Sequence, residues 1–109
     1  MLETRPLETQ VLRACLDYLS YRGIFHWRAN QGAIPLPGGG FRRFVGMKGI
    51  SDILGVLPGG RFLAIECKRP GGRESPSQVE FQERVVSLGG VAMCVSSVEE
   101  LEEDLKGII

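Results

Sequence analysis

The chain has 109 residues, 43% of them hydrophobic and 24% charged, with a formal net charge of zero. That is enough for one small domain with one modest core, and its apolar runs, a few residues each, are too short to span a membrane. Three cysteines without a CxxC pair exclude a zinc or redox motif. The opening "MLETRPLETQ" lacks the basic-then-apolar order of a secretory signal, so a cytoplasmic protein is expected.

In chain order, the spacing predicts a helix over 5–22. Pro6 suits its first turn and Gly23 its stop. One apolar stripe runs through Leu7, Val11, Ala14 and Tyr18, and a second through Leu12, Cys15 and Leu19. Glu8, four residues before Leu12, heads the second stripe and is expected to face the protein. A short aromatic strand, "IFHWRAN", follows at 24–30. The Gly- and Pro-rich "QGAIPLPGGG" at 31–40 reads as a loop. Strands are expected at 41–46, 49–57 and 61–68, and a basic loop, "RPGGRE", at 69–74.

Ser75 opens the next helix, with Pro76 as its first residue and Gln78 completing an S-x-x-Q capping box. Phe81, Val85 and Leu88 give its inward face, and Gly89-Gly90 ends it. "VAMCVS" at 91–96 reads as a buried strand. Ser97 and Glu100 form a second capping box for a short last helix. The sum is one α/β domain over 1–109, a mixed β-sheet flanked by helices in the order α-β-β-β-α-β-α.

Zero net charge hides an uneven distribution. Residues 41–73 carry Arg42, Arg43, Lys48, Arg61, Lys68, Arg69 and Arg73 against only Asp52 and Glu66, whereas 74–109 are strongly acidic. A basic stripe in a neutral protein is able to bind a polyanion locally. Arg42, Arg43, Lys48, Arg69 and Arg73, grouped around 49–68, are the candidate phosphate contacts.

The stretch "SDILGVLPGGRFLAIECK", 51–68, holds the chemistry. Side chains alternate along a strand, so Phe62, Ala64, Glu66 and Lys68 share one face and Leu63, Ile65 and Cys67 the other. If Pro58-Gly59-Gly60 is a three-residue hairpin loop, Leu57 opposes Arg61 and Asp52 opposes Glu66. The two carboxylates then sit with Cβ atoms ~5 Å apart, a repulsive pair unless a cation offsets it. Magnesium is served by one or two carboxylates, several waters and a substrate phosphate. Lys68 on the same face is placed to position a water or to stabilise negative charge building on a phosphate. Glu8 would complete the cluster directly or through a water. His26, the only histidine, reads as structural, with a catalytic base or ligand as the alternative, and Trp27 as a core or dimer contact, with base stacking as the alternative.

Asp52 followed by Glu66-Cys67-Lys68 resembles the D…(D/E)xK signature of the PD-(D/E)XK restriction-endonuclease-like superfamily. The stretches "WRAN-QGA" (27–33), 46–81 and "GGVAMCVSSVEEL" (89–101) are similar to one branch of it, the virus-type replication-repair nuclease (VRR-NUC) domain in its stand-alone phage form. Ser51 departs from the pattern, where the family usually has Pro before the first Asp. The resemblance implies a metal-dependent DNA phosphodiesterase, with Asp52, Glu66 and the backbone carbonyl of Cys67 as Mg²⁺ (or Mn²⁺) ligands. It makes Lys68 the catalytic lysine, Glu8 the first-helix acid and Gln78 a motif glutamine. Stand-alone members are similar to dimeric DNA-repair enzymes that resolve four-way (Holliday) junctions, so branched DNA is the expected substrate and a homodimer the expected state, because two symmetric cuts need two sites. The competing readings are a flap, nick or less selective nuclease and a module that binds DNA structure without cutting.

Overall fold

The computed structural model describes residues 6–29, 32–44 and 47–109, with the backbone only at 32–34 and 41–44. Helix α1 spans Glu8–Tyr21, and strands β1 to β5 span Phe25–Arg28, Gly32–Pro35, Phe41–Phe44, Ile53–Val56 and Phe62–Cys67. Helix α2 (Pro76–Ser87), strand β6 (Val91–Val95) and helix α3 (Val98–Leu105) complete the chain. The main sheet has four strands in the order β1-β4-β5-β6. The first two pairings are antiparallel and β5-β6 is parallel, which requires the α2 crossover. With the β2-β3 hairpin set aside, the order is the expected α-β-β-β-α-β-α. It is consistent with a restriction-endonuclease-like core.

The loop expected at 31–40 is corrected. Gly32–Pro35 is a strand paired antiparallel with Phe41–Phe44 in a separate two-stranded sheet. The three glycines that read as loop supply its turn. Gly38, Gly39 and Gly40 all have positive φ, and Leu36 N–H donates to the Gly40 carbonyl at 3.0 Å. The segment 41–44 therefore joins this hairpin and not the main sheet.

Helices pack on both faces of strand β5, as its period-2 alternation requires. Leu63, Ile65 and Cys67 pack with Val11, Leu12, Cys15 and Leu19 of α1 and Leu101 and Leu105 of α3. On the opposite face Leu54 and Ala64 pack against Val85 of α2, with Phe81 and Ala92 alongside. The second stripe of α1 is buried throughout, whereas of the first Val11 is buried and Leu7 exposed. The start of the first helix and the capping box of the last differ from expectation. The first helix begins at Glu8, with Pro6 outside it, and Leu7 N–H donates to Gln10 Oε1 at 2.8 Å. At α3, Ser97 caps Glu100 N–H at 3.1 Å, but the Glu100 carboxylate turns to Ser96, taking its N–H at 3.1 Å and its hydroxyl at 2.7 Å.

Candidate active site

The β4-β5 hairpin has the register that its turn length demands. Ile53 pairs with Ile65, Leu54 with Ala64, Gly55 with Leu63 and Val56 with Phe62. Leu57 N–H donates to the Arg61 carbonyl at 2.9 Å across Pro58-Gly59-Gly60. One step beyond Ile53 and Ile65 in this register come Asp52 and Glu66. Strand β4 begins just after Asp52, not at 49 as expected. The reason is local: the Asp52 carboxylate accepts from Cys67 N–H at 2.9 Å, a side chain taking a ladder donor. Its own carbonyl accepts from Ala29 N–H at 2.9 Å, which ties the end of β1 to the same point.

Glu66 is 2% exposed, a carboxyl taken out of water. Gln78 at the start of α2 reaches it, Nε2 donating to Glu66 Oε1 at 3.1 Å. The capping box aims this amide. Gln78 Oε1 accepts from Ser75 N–H at 2.8 Å and Ser75 Oγ accepts from Gln78 N–H at 3.3 Å, so the amide oxygen is fixed on the cap and its NH₂ faces β5. The capping role expected of Gln78 is thus present, and its free amide N–H goes to Glu66. The second oxygen of Glu66, Oε2, is buried with no hydrogen-bond partner.

Burial first, then the Asp52 charge, push the Glu66 carboxyl up to about 8 from its ordinary 4.5. Lys68 opposes this and Glu74 contributes a further upward push. Glu74 was not singled out in the sequence. It sits in the loop before α2, where Gln82 donates to it, and only the fold brings that loop against β5. The Lys68 ammonium lies 3.7 Å from Glu66 Oε1 and 3.5 Å from Glu8 Oε1, so it stands between β5 and the first turn of α1.

Glu8 is therefore brought to the site through Lys68. No group of three or more His, Cys, Asp or Glu suited to a metal ion occurs among the described residues. The carboxylates that face each other are two, Asp52 and Glu66. The Cys67 side chain points to the α1 face, and a hydrogen bond with Cys15 and burial push its thiol well above its ordinary value. Only its backbone carbonyl is a candidate ligand. Two carboxylates, one with an orphaned buried oxygen, suit a hard divalent cation that keeps waters and a phosphate oxygen in its remaining positions.

Of the candidate DNA contacts, Lys48, Arg69 and Arg73 are exposed, while the side chains of Arg42 and Arg43 lie outside the described residues. His26 is structural in its contacts: Nδ1 pairs with the Ile24 carbonyl at 2.7 Å and Nε2 with Ser20 Oγ at 3.5 Å. Trp27 is 41% exposed and is no core residue. No helix of the described residues is long and apolar enough to cross a membrane.

Over 64 residues the chain is 34% identical to the "Putative nuclease p44" of Acyrthosiphon pisum secondary endosymbiont phage 1. The matched stretch covers 59% of this chain and 63% of that protein, so the chain spans less than two thirds of its relative. No protein-family model matches the chain, and no solved structure matches it.

Proposed function

We propose that this chain is a Mg²⁺- or Mn²⁺-dependent DNA endonuclease of the VRR-NUC type that hydrolyses phosphodiester bonds in branched DNA, resolving four-way junctions as a homodimer. The observation that carries the reading is the buried Glu66, set against Asp52, held by Gln78 and left with one unpaired oxygen. A fold gains nothing from two facing carboxyls in a sheet, whereas a phosphodiesterase needs them. The similarity to a phage protein named as a nuclease supports the same direction.

In this reading Asp52, Glu66 and the Cys67 carbonyl would hold the cation, whose chemistry there would be to polarise a phosphodiester and lower the pKa of a bound water. Glu66 would release its proton to solvent on taking that role, because a carboxyl binds a cation as the carboxylate. Lys68, held between Glu66 and Glu8, orients the attacking water and offsets the negative charge that gathers on the phosphorus oxygens. Gln78 keeps Glu66 in one orientation, and Arg69 and Arg73 on the neighbouring loop take flanking phosphates.

The test is cleavage of end-labelled four-way junction, flap and linear duplex with Mg²⁺, Mn²⁺ or EDTA. Metal-dependent cutting that favours the junction is expected. No cutting with either metal, or equal cutting in EDTA, refutes the proposal. Light scattering should give a dimer mass; a monomer at working concentration removes the homodimer.

A further inference from the structure

The antiparallel ladders place whole rungs of side chains on one face of the sheet. Trp27 pairs with Leu54 and Leu54 with Ala64; the next rung is Phe25, Val56 and Phe62. Leu54 and Ala64 pack against Val85 of α2, so both rungs lie on the α2 side. Helix α2, however, packs over β5 and β6. The β1 end of this face is left open, with Phe25 68%, Trp27 41% and Phe62 37% exposed. The Phe25 and Trp27 rings stand 5.5 Å apart, tilted by 54°.

The open rungs are continuous with the candidate site. Asp52 is two residues from Leu54 and Glu66 two from Ala64, so the acids form the rung after Trp27. The separation is ~7 Å along the strand, about two nucleotides at the ~3.4 Å rise of a stacked strand. On the other side, Phe62 borders a groove of about 970 Å³ between the hairpin and α2, where Lys48, Arg61 and Arg84 outnumber Glu80. This charge selects the occupant. A two-fold contact of this face with a second copy would bring two such cationic grooves into one interface. A nucleic-acid strand would instead lay its phosphates along them and its bases on the rings.

We infer that Phe25 and Trp27 are a stacking platform for unpaired bases next to the scissile phosphate, so the substrate carries a single-stranded or opened segment there. This rests on the nuclease reading and narrows its substrate, because a closed duplex hides its base faces and the platform offers nothing else for sequence-independent binding.

Trp27 is the only tryptophan, so intrinsic emission reports on the platform directly. The full chain is titrated in EDTA with a thymidine oligomer of roughly 12 nucleotides, within the usual span of such sites, and with a blunt duplex of the same length. Saturable quenching by the single strand, and little by the duplex, is expected. Phe25→Ala and Trp27→Ala should each weaken single-strand binding, read by anisotropy of a labelled oligomer, about tenfold, and Trp27→Phe much less. Melting curves establish that each variant is folded; Phe25, the more exposed, gives the cleaner comparison. Equal quenching by both DNAs, or unchanged affinity in folded Phe25→Ala, overturns the platform. So does emission that shifts with protein concentration alone alongside a dimer mass, which assigns the face to a second copy. Quenching without any cleavage in the metal assay would sink the nuclease reading and leave the platform standing; cleavage without quenching would do the reverse.

Discussion

Replacing Glu66 by Gln isolates the cost of the buried carboxyl, because the amide keeps the shape and can still accept from Gln78. The Glu66 carboxyl lies at about 8 in the folded chain against an ordinary 4.5. Below about 4.5 it is protonated folded and unfolded alike, and folding is indifferent to pH through this group. Between about 4.5 and 8 only the folded chain holds the proton, so stability falls as pH rises, by at most ~1.4 kcal/mol per pH unit. Above about 8 the loss is complete. Its ceiling is the difference between the two values, about 5 kcal/mol.

Glu66→Gln has no proton to lose. In EDTA its stability should match the wild type near pH 5 and exceed it by a few kcal/mol at pH 9, a gap of roughly 10 °C or more in melting temperature for a domain of this size. Urea or thermal melts of both proteins across this range measure it. Parallel pH profiles, or a wild type that gains on the variant as pH rises, would refute the account of Glu66. Added Mg²⁺ should stabilise the wild type at pH 8 and leave Glu66→Gln nearly unmoved, since ligand binding to the folded state alone adds to its stability.

Asp52→Asn and Lys68→Ala should each lower junction cleavage at least ~100-fold while melting cooperatively, as expected of groups that act on the reacting phosphate; near-normal cleavage by either would remove it from the site. Gln78→Ala loses a cap and the contact to Glu66 and should cost about 1–2 kcal/mol in urea melts. Ser51 is fully buried with an unpaired hydroxyl, so Ser51→Ala should be neutral or stabilising by about 1 kcal/mol. Gly49 has φ +78 and a Cβ there would fall inside the Ser77 carbonyl, so Gly49→Ala should destabilise by about 1–3 kcal/mol and loosen the start of α2, seen as faster amide exchange there.

What could be read without coordinates was local. A three-residue loop at Pro58-Gly59-Gly60 sets Asp52 against Glu66, a loop one residue shorter would set it against Cys67, and the structure has the former register. Ser75 and Gln78 specify a helix start by their own hydrogen bonds, so α2 and the Gln78 amide were legible too. The failures are long-range. Pro35, Leu36 and Pro37 before three glycines carry no strand period, and only pairing with Phe41–Phe44 makes Gly32–Pro35 a strand. Glu74 reaches the site because α2 crosses over β5, which no spacing encodes. Trp27 reads as a core or dimer contact because it is large and apolar. It and Phe25 are exposed because α2 covers β5 and β6 and stops short of β1.

The two acids are also held in different ways, and this bears on what the site is for. Asp52 is satisfied by the Cys67 N–H, a backbone donor that stays in place whatever the protonation state. Glu66 has one side-chain donor, Gln78, and an oxygen with none. An apolar side chain at 66 would remove the orphaned oxygen and the burial of a carboxyl together, at a saving of at least the ~1–3 kcal/mol that an unpaired buried polar group costs. Folding therefore does not account for Glu66. Lys68 does not account for it either, since at 3.7 Å, shared with Glu8, it leaves the carboxyl still raised to about 8. What would account for it is a ligand that binds the ionised form. The metal-dependent stabilisation lost in Glu66→Gln measures that ligand directly, without any assumption about which DNA is cut.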